Sequence, residues 1–138
     1  MSGGSALTGN VHVLLVEDDA SVSDMYRARL EMDGYRVLVA GDGETALRMI
    51  REIRPELVLL DYRLPRLDGP AVLRALRADE LTRGQAVVVL SAFDEPALMA
   101  EARALGALDW LVKTHIVPSA LSGVVRRFVS RELDRQGV

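Results

Sequence analysis

Residues 55–69 read PELVLLDYRLPRLDG: a proline, a short apolar run at 57–60, an aspartate, and then a stretch dense in turn formers. A run this short and continuous fits a strand buried on both faces of a parallel sheet, because a half-exposed strand would alternate apolar and polar positions. Pro55 bars a helix from running into it, and Pro65, Asp68 and Gly69 close the segment that follows. Asp61 therefore stands at the carboxyl end of a strand.

Outward from this strand, apolar runs of the same kind lie at 13–16, 37–40, 87–90 and 110–112. The intervening segments carry stripes of helical period. Val22, Met25, Tyr26 and Leu30 form the first, and Ala46, Met49, Ile50 and Ile53 the second. Val72, Leu73 and Leu76 give a shorter third, Leu98, Ala102 and Leu105 a fourth, and Leu121, Val124, Val125 and Phe128 a fifth. Gly34 and Gly106 end helices, Asp42 caps one, and Arg54-Pro55 stops it. Strict alternation of five strands and five helices implies a flavodoxin-like (βα)5 doubly wound parallel sheet in strand order 2-1-3-4-5. An eight-fold barrel needs a much longer chain.

The chain has 138 residues, 49% of them hydrophobic, which suits one domain. Residues 1–10 (MSGGSALTGN) read as a flexible leader, 11–134 as the folded domain and 135–138 as a tail. Seventeen Lys and Arg against 20 Asp and Glu give a net charge of -3, without the basic excess of a nucleic-acid surface, so no direct nucleic-acid contact is expected. The absence of cysteine removes disulfides, thiolate metal sites and cysteine nucleophiles. No apolar run approaches the roughly 20 residues of a membrane span, and no signal peptide is evident, so a cytoplasmic protein away from membranes is expected.

In open α/β sheets the ligand sits beyond the carboxyl ends of the strands, where the winding reverses, here between strands 1 and 3. Glu17, Asp18 and Asp19 follow strand 1, Asp61 follows strand 3, Ser91 strand 4 and Lys113 strand 5. Singly these residues would be a helix cap, a turn aspartate, a turn hydroxyl and a solvated cation. Together they place carboxylates, a hydroxyl and an ammonium on one side of the sheet. Crowded carboxylates call for a hard divalent cation, and magnesium suits such oxygen donors. Asp61 is then a candidate nucleophile toward phosphorus, with Lys113 and Ser91 able to hold phosphoryl oxygens.

VLLVEDDA, PELVLLDYRLPRLDG, VVVLSAF and ALDWLVK, in this order and spacing, resemble the motifs of the response-regulator receiver family. The resemblance covers the chain from Val11 to about Leu133 and implies a two-component signalling switch. It casts Asp61 as the phosphorylation site and Glu17 and Asp18 as the acidic pair, Asp18 binding magnesium directly and Glu17 through water. Arg63 would offer its backbone carbonyl to the metal, Ser91 and Trp110 would be the switch residues, Ala92 the small position beside Ser91, and Lys113 the lysine of the site. The implied partners are a histidine kinase or phosphotransfer protein, and a downstream protein on the face formed by helix 4, strand 5 and helix 5. The domain would catalyse only its own phosphorylation and dephosphorylation.

Two positions depart from the family pattern. Thr114 stands where proline in a cis peptide is frequent. A cis bond before threonine would cost about 2.5–4 kcal/mol, so trans is expected. Trp110 is larger than the usual aromatic. Two rival functions remain at this point: a scaffold that binds partners without phosphorylation, and a small magnesium-dependent phosphatase with an aspartyl nucleophile. The phosphatase would want a carboxylate at the position of Arg63. His12, His115 and the arginines of the last helix (Arg126, Arg127, Arg131, Arg135) read as structural or solvated.

Overall fold

The computed structural model describes residues 12–135, so the expected leader at 1–10 and residues 136–138 of the expected tail lie outside the described residues. Five strands and five helices alternate: β1 (Val13–Val16), α1 (Ala20–Met32), β2 (Val37–Ala40), α2 (Gly43–Ile53), β3 (Leu57–Asp61), α3 (Gly69–Ala78), β4 (Val87–Ser91), α4 (Pro96–Ala104), β5 (Asp109–Val112) and α5 (Pro118–Arg135). The helix α5 extends one residue into the segment read as a tail. All strands are parallel, in the order β2-β1-β3-β4-β5. The winding reverses between β1 and β3, as the alternation predicts.

The three central strands are buried along their whole length, and their alternate side chains feed two cores. On one face Val13, Leu15, Leu57, Leu59, Val88 and Leu90 meet Tyr26 and Leu30 of α1 and Leu121, Val125 and Phe128 of α5. On the other, Leu14, Val16, Val58, Leu60, Val87 and Val89 meet α2, α3 and α4 through Ala46, Ile50, Val72, Leu73, Leu76 and Ala102. Burial of each such leucine or valine contributes roughly 1.5–3 kcal/mol, which is why the runs read so clearly as strands.

Two expectations are corrected at the periphery. The runs of β2 and β5 are not buried throughout: Leu38 is 39% exposed and β5 is half-buried, because both strands lie at sheet edges with a neighbour on one side only. Met25 does not belong to the buried stripe of α1; it is 47% exposed, and Ser23 is buried with Tyr26 and Leu30 instead.

Helix starts are built by short polar side chains. Asp19 accepts the N–H groups of Ser21 and Val22 at the start of α1, Asp42 that of Thr45 at α2, and Asp68 that of Ala71 at α3. Gly69 is required where α3 leaves the sheet, because a Cβ there would fall 2.5 Å from the Tyr62 Cα and 2.9 Å from the Asp61 carbonyl oxygen. The Lys113–Thr114 bond is trans, as expected, and Lys113–His115 forms a single 3₁₀ turn before α5.

Candidate functional site

The register of the sheet brings the strand ends together. Glu17 follows β1 directly and its N–H donates to the Ala40 carbonyl across the β1–β2 pair at 3.0 Å, which fixes the chain as it leaves the sheet. Glu17 and Asp61 are almost fully buried, whereas Asp18 faces solvent. Oxygens of Glu17, Asp18 and Asp61 all lie within 4.8 Å of one another, so one divalent cation could touch all three. Lys113, just past β5, reaches over the cleft: its Nζ donates to Glu17 Oε1 at 2.6 Å and to Asp61 Oδ2 at 2.9 Å. The second Asp61 oxygen accepts the Arg63 backbone N–H at 3.1 Å. Ser91, buried at the end of β4, accepts the Phe93 N–H at 3.4 Å.

Two buried carboxylates thus share one ammonium, with Asp18 as a third negative charge beside them. Burial pushes the Glu17 carboxyl above its usual range; the Lys113 hydrogen bond works against this, and the Asp61 charge adds to it. Burial alone would lower the pKa of Lys113, but its bonds to Glu17 and Asp61 outweigh desolvation and raise it, so the amine stays protonated at neutral pH. The cleft holds a surplus of negative charge beside a fixed cation. That charge balance suits a hard dication and an incoming anion together.

Asp19 stands apart from the cluster and serves α1 as its cap, so its neighbour Asp18 is the exposed member of the cluster. Trp110 lies in β5 as expected, half-buried on the α2–α3–α4 side. Its ring meets Tyr62 edge-on, with centroids 5.0 Å apart, and its Nε1–H donates to the Phe93 carbonyl at 3.3 Å. The indole therefore spans from β5 to the residue after Asp61. The side chains of Arg63 and Phe93 are largely exposed, and Arg63 pairs with Glu95 at 3.2 Å. His12 Nδ1 accepts the Arg36 N–H at 2.8 Å, and burial followed by the Arg36 charge lowers its pKa, so it remains neutral and structural.

Two participants escape sequence reasoning. Glu95 lies 32 positions from Arg63, and no local period pairs them. Tyr62 lies in sequence within the turn segment after Asp61, yet its hydroxyl is buried without a hydrogen-bond partner and burial pushes it up to about 12.

Fold and site together define a flavodoxin-like α/β domain whose switch-point cleft gathers anionic oxygens around a lysine. Residues 13–124 match the response regulator receiver domain, and the chain belongs to that family. Receiver domains are the phosphorylation-dependent signalling modules of two-component response regulators, switches rather than conventional enzymes. The DNA-binding response regulator MtrA of Mycolicibacterium paratuberculosis is 38% identical over 122 residues, which make up 88% of this chain and 52% of that protein. The signal receiver domain of a putative Luxo repressor protein from Vibrio parahaemolyticus shares the fold with a TM-score of 0.84 at 26% identity, covering 92% of this chain and 95% of that one. The receiver domain of sensor histidine kinase PA1611 from Pseudomonas aeruginosa PAO1, solved with a magnesium ion coordinated in its active-site cleft, gives a TM-score of 0.78 at 30% identity and covers 88% and 98% of the two chains.

The chain spans about half the length of the curated relatives it matches. Those relatives are DNA-binding or transcriptional regulators, so the expectation of no nucleic-acid contact, drawn from charge alone, finds no support in them. Among the described residues no helix is long and apolar enough to cross a membrane.

Proposed function

We propose that Asp61 accepts a phosphoryl group from the phosphohistidine of a histidine kinase or phosphotransfer protein in the cytoplasm, and that the modification alters a partner-binding face formed by α4, β5 and α5. The observation that carries this reading is the convergence on one cleft of Asp61, Lys113, Glu17 and Asp18, drawn from three strand ends. A carboxylate oxygen of Asp61 attacks phosphorus as the bond to the donor nitrogen breaks, and the imidazole leaves with that electron pair.

The chain's part is positioning and electrostatics. Lys113 is already aimed at Asp61 and is placed to hold a phosphoryl oxygen. Ser91 Oγ only accepts, from the Phe93 N–H, so its own O–H is left to donate to another phosphoryl oxygen. Asp18 and Asp61 directly, Glu17 through water and Arg63 through its carbonyl would hold magnesium, and the all-oxygen donor set fits that ion. Bound magnesium supplies charge neutralisation for phosphoryl oxygens. Arg63 fills the position where an aspartyl phosphatase would carry its second carboxylate, which disfavours that reading. The intact set of Glu17, Asp18, Asp61, Ser91 and Lys113 disfavours a scaffold that never uses its site.

Incubation with acetyl phosphate and magnesium tests the proposal: one hydroxylamine-labile group should map to Asp61. Absence of uptake under conditions that load other receiver domains would sink it. Decay of that group should be slow and should quicken in Arg63→Ala and in Phe93→Ala, because both side chains flank the approach of attacking water. Unchanged decay in both variants would count against such a role.

Trp110 is expected to report the switch. Its indole is tied to the Phe93 carbonyl, and the Phe93 N–H is tied to Ser91, so any inward turn of Ser91 disturbs the peptide on which the indole rests. Beryllofluoride with magnesium, standing in for the phosphoryl group, should shift the tryptophan fluorescence of the wild type, shift it less in Ser91→Ala and not at all in Asp61→Asn. A flat wild-type spectrum, with binding measured by calorimetry, would remove Trp110 as a moving part.

A further inference from the structure

The loop between β4 and α4 is fastened to the site at three points. The first two are the Phe93 N–H on Ser91 Oγ and the Phe93 carbonyl on Trp110 Nε1. The third is the ion pair between Glu95 Oε1 and Arg63 at 3.2 Å, which bridges the two loops flanking Asp61. Arg63 is bound to the site through its backbone, since its N–H donates to Asp61 Oδ1, while its guanidinium leans away to Glu95. Glu95 occupies the N-cap position of α4, yet its side chain accepts no N–H of that helix. The arginine side chain is 69% exposed, so the pair is weak enough to be exchanged.

We propose that Glu95 is a positioning residue for the aspartyl phosphate: it holds the Arg63 guanidinium in an exposed ion pair and yields it to the phosphoryl group, so that phosphorylation moves Arg63 from one anion to the other. This rests on phosphorylation at Asp61. A phosphoryl group carries nearly two negative charges and three acceptor oxygens, a better match to the guanidinium fork than one exposed carboxylate. Because Arg63 is two residues from Asp61, the competition is intramolecular. Because Glu95 is the N-cap residue of α4, its released carboxylate is left at the positive end of the helix dipole, where the first-turn N–H groups lack intrahelical acceptors. Phosphorylation thereby reaches the first turn of α4 by exchange of an ion pair, in addition to the path through Ser91.

The test is the decay of the acetyl-phosphate-loaded full chain, followed by phosphate release at fixed magnesium, in the wild type, Glu95→Gln, Arg63→Ala and the double variant. Glu95→Gln leaves Arg63 to the phosphoryl group alone, and decay should slow roughly two- to five-fold, the ratio that a surface ion pair commands. In the Arg63→Ala background, Glu95→Gln should change nothing, and Glu95→Asp in the wild-type background should restore most of the original rate. Equal decay in wild type and Glu95→Gln would overturn the proposal, as would equal slowing with and without Arg63. These outcomes leave the phosphorylation of Asp61 standing; failure of every variant to take up phosphate overturns that reading and this inference with it.

Discussion

Asp61→Asn is expected to take up no phosphate from acetyl phosphate or from a kinase, while it folds as the wild type does. Asp61 ends the central strand β3, with a lysine at 2.9 Å and two further carboxylates within cation reach. An amide in the same place keeps the shape and still accepts the Arg63 N–H, but it is a far weaker nucleophile and brings no charge to a cation site. The fold should tolerate the exchange. Lys113 retains Glu17 at 2.6 Å, and the lost bond to Asp61 is offset by removing one of two buried like charges, whose desolvation is itself unfavourable. Intact mass after phosphodonor treatment reads the first claim and thermal unfolding the second. Uptake at wild-type stoichiometry would move the phosphorylation site elsewhere and undo the assignment of the cleft.

The sequence made this residue findable for a physical reason. Strands β1, β3 and β4 are buried on both faces, so their runs are continuous, and the first polar residue after each run marks the carboxyl edge of the sheet. Glu17, Asp61 and Ser91 are such residues, and Lys113 follows the half-buried run of the edge strand β5. Less was legible where burial is partial. Leu38 in an edge strand and Met25 in α1 look apolar in sequence and are exposed in the fold, because hydrophobicity alone does not say which side of an edge element is covered. Pairings between distant side chains were not legible at all. Arg77 donates to the carbonyls of Arg83, Gln85, Leu105 and Gly106, joining the end of α3 to two loops, and Arg63 finds Glu95 across the site. Such contacts depend on three-dimensional register and have no sequence period. The Trp110–Tyr62 contact belongs with them: the tryptophan could be placed in a strand, but not against the residue following Asp61.

Asp18→Ala is expected to weaken magnesium binding by more than the roughly 10–100-fold seen when a metal ligand's supporting partner is lost, and to abolish phosphorylation with it. Asp18 and Asp19 are chemically identical neighbours, yet the fold gives them separate tasks. Asp19 is turned into the helix: its carboxylate accepts the Ser21 and Val22 N–H groups and the Ser21 hydroxyl, and these bonds hold its carboxyl below the usual range. Asp18 is exposed and turned toward Glu17 and Asp61, to which it adds a third negative charge. Removing it relieves repulsion and leaves the cap of α1 intact, so the apo domain should unfold no earlier than the wild type. Asp19→Ala should do the reverse, lowering the unfolding temperature through loss of the cap while magnesium affinity stays near that of the wild type. Calorimetric titration with magnesium and thermal unfolding of both variants separate the two roles in one experiment. Undiminished affinity in Asp18→Ala would remove Asp18 as a ligand, and a collapse of affinity in Asp19→Ala alone would move the cation to the residue that caps α1.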